Sequence, residues 1–336
     1  MRNTILTGLL LIAFLSLAQA GSTLDKIRAQ KSLACGINAE EPEYTLADAH
    51  GNRVAFDTEI CKAVAVAALG PGAKFTVKLF PDEASSMAAL KSHDVALLAT
   101  ASVNIRTANG SFGFARHILY DYQGLLVNKT MGITSPKDLV GKKVCFLIGT
   151  EIETQIDAYM SREKIKYIPA PFSEEGEMEA ALVTGNCAAV TADVTQLAAE
   201  RIAFKRMTDR FTILPDVIAK DPLAPAYMPD DPQWATIVNW TMNVLIEAEE
   251  LGITQANVNE MRKSNDIVVQ RFLGTNRGWG QFLGLDDDFA GNVVETVGNY
   301  GEIFDRTEGT NSPMRLERGP NQLWTQGGLM YAEPMR

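Results

Sequence analysis

The stretch Lys143-Val144-Cys145-Phe146-Leu147-Ile148-Gly149-Thr150 decides the fold of this chain. Its apolar run reads as a strand, and Gly149-Thr150 leads out of it into a helix that runs to about Ser161. A strand over Tyr167 to Ala170, a helix over Glu174 to Thr184, a strand over Cys187 to Thr191 and a helix over Val194 to Ile202 follow. Strands that alternate with helices in this way predict an α/β architecture with a mostly parallel sheet.

The same alternation occurs once more, nearer the N-terminus. Leu33 to Asn38 is a short apolar run that enters a turn-rich stretch, Ala39 to Asn52. Phe56-Asp57 opens a helix with Asp57 as its N-cap, and Ile60, Val64, Ala67 and Ala68 form the buried stripe. Phe75, Val77 and Leu79 alternate with Thr76 and Lys78 as in a strand. Ala84 to Lys91 reads as a helix and Val95 to Thr100 as a buried strand. Two α/β units in one chain predict two lobes with a cleft between them, and ligands of open α/β sheets sit beyond the carboxyl ends of the strands. In the last third, Trp234, Ile237, Val238, Thr241, Val244, Leu245 and Ala248 recur at helical spacing and predict a packing helix. Leu283 to Arg336 is rich in Gly and reads as loop, with aromatic residues to anchor it.

The first 20 residues have the three-part layout of an export signal: Arg2, an apolar run from Ile5 to Leu17, and the small-residue site Ala18-Gln19-Ala20. The apolar run is too short to span a bilayer comfortably, and no Cys follows the expected cut to carry a lipid. The mature chain is therefore expected to start near Gly21 in the periplasm. Without Arg2 it carries 30 basic against 41 acidic side chains, a net charge of −11, which argues against a nucleic-acid partner. A hydrophobic fraction of 46% and a charged fraction of 21% are those of a packed globular body.

The four cysteines, Cys35, Cys61, Cys145 and Cys187, are an even set in an exported chain. Three connectivities are possible. Spacing favours Cys35 with Cys61 and Cys145 with Cys187, each pair inside one lobe and each contributing about 3–4 kcal/mol on the chain-entropy model. No C-x-x-C spacing occurs and His50, His93 and His117 are scattered, so neither a metal nor another cofactor is expected.

With these residues in hand, the chain resembles the periplasmic binding component of the general L-amino-acid ABC transporters, a long branch of the family 3 solute-binding proteins. The likeness runs through Leu33-Ala34-Cys35-Gly36, Phe56-Asp57-Thr58-Glu59-Ile60-Cys61, Gly185-Asn186-Cys187, Thr191-Ala192-Asp193 and Ala248-Glu249-Glu250-Leu251-Gly252. Its most specific part is the tail, Gly298-Asn299-Tyr300-Gly301-Glu302-Ile303-Phe304 and Leu323-Trp324-Thr325-Gln326-Gly327-Gly328-Leu329-Met330-Tyr331. The resemblance implies a periplasmic-binding-protein type II fold. Two α/β lobes are joined by two crossover strands, with a long C-terminal extension on lobe 1. Lobe 1 would comprise 24–126 and 224–336, and lobe 2 127–223. It further implies a monomer that binds an amino acid or similar zwitterion in the cleft and delivers it to an ABC permease.

A zwitterion needs a cation for its carboxylate and an acid for its ammonium. The resemblance places the first role on Arg106, after the strand that ends at Thr100, and the second on Asp193, for which helix N-capping is the plain alternative. Thr100 is the polar residue kept from the family's lobe 1 motif. Gly149 and Thr150 would add backbone and hydroxyl donors at a helix N-terminus. By the same resemblance Glu41, with Glu40, would face the cleft mouth, where a solvated loop is the favoured reading and a preference for an amine the alternative.

Two departures stand out. Where the branch reads Arg-Asn-Thr-Thr-Trp-Thr, this chain has Leu98-Ala99-Thr100-Ala101-Ser102-Val103, which predicts a less polar pocket. Where it reads Gly-Thr-Thr-Thr-Glu, this chain has Gly149-Thr150-Glu151-Ile152-Glu153, and Glu151 would repel an incoming carboxylate unless it turns away. Rival readings are a sensor or scavenger on the same fold, and a dehydratase-like enzyme, for which no acid–base pair is evident in the sequence.

Overall fold

The structure, a computed structural model, describes residues 22–38, 46–47 and 53–336. The leader and the pair Glu40 and Glu41 lie outside the described residues.

The chain opens with α1 (Thr23–Gln30), β1 (Ser32–Asn38), the short β2 (Leu46–Ala47) and β3 (Arg53–Val54), and α2 (Phe56–Leu69). Then come β4 (Lys74–Phe80), α3 (Glu83–Lys91), β5 (Leu97–Ser102), β6 (Gly113–Phe114) and the long β7 (Leu119–Asn128). The middle third holds β8 (Lys143–Leu147), α4 (Ile152–Arg162), β9 (Ile168–Phe172), α5 (Glu175–Thr184), β10 (Ala189–Asp193), α6 (Val194–Ala203) and β11 (Phe211–Ile213). The long β12 (Ala219–Tyr227) returns the chain to α7 (Pro232–Glu250), α8 (Val258–Met261), α9 (Ile267–Phe272), α10 (Gly280–Leu283), α11 (Phe289–Val297) and α12 (Tyr300–Thr307).

One mixed sheet runs through the molecule in the order β4-β1-β5-β12-β7-β10-β8-β9. The pairs β1–β4, β1–β5, β8–β9 and β10–β8 are parallel, as the βαβ alternation requires. At the centre, β7 and β12 pair antiparallel. These two strands carry the chain between two apolar cores. Leu33, Ile60, Leu97, Leu119, Trp234 and Tyr300 belong to one core. The other half packs on both faces of its sheet, with Leu125, Phe146 and Ile156 on one side and Leu126, Met178 and Leu197 on the other. The passage thus falls between Leu119 and Leu125 on β7, and between Ile218, just before β12, and Leu223 on that strand.

Local chemistry fixes the element ends. Asp82 caps α3 through the Ser85 amide, and Asp231 caps α7 through the Gln233 and Trp234 amides with Pro232 at the first helical position. Trp234 is fully buried and its indole N–H donates to the Ala96 carbonyl at 3.0 Å, which locks α7 to the sheet. The disulfides Cys35–Cys61 and Cys145–Cys187 each close within one half, with Cα atoms 6.0 Å apart.

Two expectations need correction. Asp57 is not an N-cap: the cap position of α2 is Ala55, and Asp57 sits in the first turn with its carboxylate on the Thr100 hydroxyl. The tail is not loop throughout, because it contains α11 and α12. Gly291 and the β-branched Val293, Val294 and Val297 lower local helix propensity, but burial of that face against α2 and α7 overrides it. An Asn299–Glu302 capping box starts α12. Most of the extension packs on the first core. Beyond α12, however, Met314 and Leu316 pack on Ala198, Ala199 and Ile202 of α6, in the other half, and the Arg201 guanidinium donates to the Met314 carbonyl at 2.5 Å. Among the described residues, no helix is long and apolar enough to cross a membrane.

Candidate functional site

Residues directly opposite on antiparallel strands share a sheet face with Cβ atoms about 4.5–5.5 Å apart. The register of β7 with β12 puts Asp121 opposite Asp221. The register of β7 with β10 puts Gln123 opposite Asp193. Asp121 and Gln123, two residues apart on one strand, point the same way. The junction of the two halves therefore presents Asp121, Asp221, Asp193 and Gln123 on one face.

Each is held differently. Asp121, 7% exposed, accepts from the Tyr122 amide at 2.8 Å and from the Thr195 hydroxyl at 2.5 Å. Burial pushes its carboxyl up to about 6. Asp221 accepts from the Ser102 hydroxyl at 2.5 Å and is raised by burial. Asp193 occupies the N-cap position of α6 but makes no side-chain cap bond, so the capping alternative fails. Asp121 supplies an acceptor to the first turn of α6 instead, through the Thr195 hydroxyl and amide. Burial, then the charges of Asp121 and Asp221, push the Asp193 carboxyl up to about 8.

Gln123 is 1% exposed. Its amide nitrogen donates to the Ile152 carbonyl at 3.1 Å and to the Thr191 hydroxyl at 2.9 Å, while that hydroxyl donates to the Gly124 carbonyl at 2.7 Å. A carbonyl only accepts, so the amide orientation is fixed, and among the described residues the buried Gln123 Oε1 has no hydrogen-bond partner. The contact to Ile152 also docks the N-terminus of α4 on β7.

On the first half, Glu83 opens α3. Its carboxylate takes the Ser102 amide, and its Oε1 has no partner among the described residues. Burial and then Asp221 raise it, and Arg106 opposes them. Thr100 donates to Asp57 at 2.8 Å, and burial pushes Asp57 up to about 6. Glu308, just past α12, is 7% exposed, and burial followed by the charges of Asp57 and Asp121 pushes it up to about 8. Its Oε2 is also unpartnered among the described residues.

Arg106 is presented by a turn built on Asn104, whose side-chain oxygen takes the amides of Arg106 and Thr107 at 2.9 and 3.2 Å. The guanidinium reaches across to the other half and meets Glu151 Oε1 at 2.7 Å, with the side chains 65% and 52% exposed. Glu151 stands at the N-cap position of α4, after Gly149, whose φ of +80° suits only glycine, and Thr150. The Thr150 hydroxyl donates to the Leu147 carbonyl at 3.1 Å. Glu151 has thus turned onto Arg106.

The structure brings Arg106 together with the Gly149–Glu151 turn, and Asp193 together with Asp121 and Asp221. It holds Thr100 on Asp57, and Glu41 lies outside the described residues. Beside the Leu98–Val103 stretch, the junction strands and the start of α3 supply carboxylates that no aligned motif announced. Sequence reasoning missed Asp121, Asp221, Gln123, Glu83 and Glu308. One signal was available: Asp121 interrupts a strand whose neighbours are apolar and aromatic, and a carboxylate in such a run is rarely buried without a role. Among the described residues, no three His, Cys, Asp or Glu are placed to hold a metal ion.

No family model matches the chain. It is 39% identical over 345 residues, covering all of both chains, to the general L-amino acid-binding periplasmic protein AapJ of Rhizobium johnstonii. It is 35% identical over 337 residues, 97% of each chain, to the glutamate/glutamine/aspartate/asparagine-binding protein BztA of Rhodobacter capsulatus. Among solved structures, an ABC transporter periplasmic binding protein from Brucella ovis with glutathione bound matches with a TM-score of 0.83 and 36% identity. That match covers 94% of this chain and all of the other.

Proposed function

The chain belongs to the periplasmic amino-acid-binding proteins of ABC transporters, and from that premise we propose that it captures a small amino-bearing solute at the junction of its two halves and passes it to a membrane permease. The observation that carries this reading is the convergence on the β7–β12 junction of groups from both halves. Asp221, Ser102 and Glu83 come from one side, Gln123 and Asp193 from the other, and Arg106 and Glu151 meet across the cleft. Two strands that pass the chain between independent cores are a natural hinge. Closure about them would bring Asp193 to a ligand ammonium, beside Thr100 and the Gly149-Thr150 turn.

On this reading, residues 1–20 are a cleaved export signal and the mature protein acts as a monomer in the periplasm. One lobe is 24–126 with 224–336, and the other is 127–223. The relatives named above are binding proteins, and on that ground the protein acts by binding and not by catalysis.

A thermal-shift screen of the mature protein against amino acids, amines and small acids tests the reading. A ligand at 100 times its dissociation constant stabilises by about 2.7 kcal/mol. The reading predicts a clear shift with at least one amine-bearing solute, weakened at least tenfold by Asp193→Ala. No shift across the panel refutes it.

A further inference from the structure

We propose that the cleft selects a solute of net positive charge, because the carboxylate of Glu151 already occupies Arg106 and the unpartnered polar atoms left around the junction are acceptors. The inference rests on the function proposed above and narrows it to amine- or guanidine-rich solutes.

The argument begins with what the junction still lacks. Gln123 Oε1 is buried, fixed in orientation by its own amide contacts, and without a partner directly opposite Asp193. Glu83 Oε1, beside Ser102 and Asp221, is in the same condition. A buried acceptor without a donor is costly, and a ligand that supplies N–H groups removes that cost. The buried donors without partners among the described residues are Arg116 Nε, Arg201 Nε and Trp279 Nε1. They lie elsewhere: Arg116 is tied to Asn243 and the Tyr331 carbonyl, Arg201 to the Met314 carbonyl, and Trp279 packs on Phe282. Among the described residues, the fully buried side-chain atoms left unpartnered at the junction are therefore acceptors.

Charge points the same way. Asp121, Asp193 and Asp221 repel one another, and Glu83 adds to the field on Asp221's side. The cation whose field registers among these groups is Arg106, felt by Glu83. Its charge is balanced by Glu151 at 2.7 Å. A ligand carboxylate would have to displace Glu151 and then sit near several like charges. An ammonium or guanidinium is attracted by the ionised members of the group, and near pH 7 it draws Asp193 into ionisation by displacing its proton.

Titration calorimetry on the mature full-length protein with four probes decides the matter: L-arginine, putrescine, L-glutamine and L-glutamate. The expected result is binding of arginine or putrescine at least tenfold tighter than glutamine, with glutamate weakest. Glutamine or glutamate binding as tightly as either cation overturns the charge selectivity and leaves the solute-binding function standing. Failure of all four, together with silence in the broader thermal-shift panel, overturns both. Glu151→Gln supplies an independent arm whose predicted effect is a gain and so does not depend on a damaged fold. It should free Arg106 and improve glutamate binding at least tenfold. An unchanged glutamate affinity in that variant also overturns the inference.

Discussion

Asp121 and Asp221 stand directly opposite each other on the two strands that join the halves of the molecule, and each takes its hydrogen bonds from neutral donors. Like charges in that position destabilise a sheet pair. Burial raises both carboxyls, that of Asp121 to about 6, so the pair resists carrying two charges. The junction thus stores an unfavourable field that a cation would relax.

Stability should fall as pH rises. Asp121 is held up at about 6, and Asp193 and Glu308 at about 8, whereas carboxyls of an unfolded chain titrate near 4. From about pH 4 to 8 the folded protein therefore binds more protons than the unfolded chain, and the free energy of unfolding decreases with pH across that window. His117, lowered by burial and by Arg116, works in the opposite sense below about pH 6.5. Calorimetric Tm values should drop between pH 6.5 and 8, and Asp193→Asn should reduce that drop. A Tm that climbs over this interval contradicts the assignment. The same linkage predicts that binding of a cation displaces up to one proton from Asp193 near pH 7. Calorimetry in buffers of different ionisation enthalpy measures that proton directly.

The Arg106–Glu151 pair should matter little for stability. Its side chains are more than half exposed, and pairs of this kind contribute about 0–1 kcal/mol. Glu151→Gln should shift Tm by no more than about 4 °C. A larger loss would mean that the pair supports the fold rather than the cleft.

A different ion pair should matter much more. Arg318 grips both oxygens of Glu249 at 2.5 and 3.0 Å, and its guanidinium carbon lies 5.3 Å from the ring centroid of Tyr300. The two side chains are only 20% and 13% exposed. Arg318→Ala would leave Glu249 with no counter-charge in a poorly hydrated place and should cost at least about 2 kcal/mol. Arg162→Ala, at a 64% exposed side chain, should change stability by no more than about 0.5 kcal/mol. Urea unfolding of the two variants side by side checks the contrast.

The extension should restrain opening. Met314 and Leu316 cross from the first half to pack on α6, and Arg201 holds the Met314 carbonyl. Arg201→Ala combined with Met314→Ala should enlarge the radius of gyration of the unliganded protein in small-angle scattering. Saturating ligand should bring it back. An unchanged radius would show that the strap follows the hinge without limiting it.

Much of the architecture was readable from pattern. Apolar runs separated by helical spacing located most elements to within a few residues, because each is stabilised by a periodic face. The even cysteine count and the spacing of the four gave the pairing that the structure holds. The helices α11 and α12 were missed because their residues are weak helix formers that fold only against α2 and α7. Asp57 was misread as a cap because a first-turn acid and an N-cap acid look alike in sequence.

The amino-acid sequence alone determined the two α/β units, since these follow from local periodicity, and the resemblance of its motifs singled out Arg106 and Asp193. Only the tertiary structure decided the electrical character of the cleft. It set Glu151 against Arg106 from 45 residues away, and it laid Asp121 opposite Asp221 across two distant strands. The reason is physical. Coulomb energy and desolvation depend on distance through space and on how much water is excluded, and neither quantity is written in the order of residues along a chain.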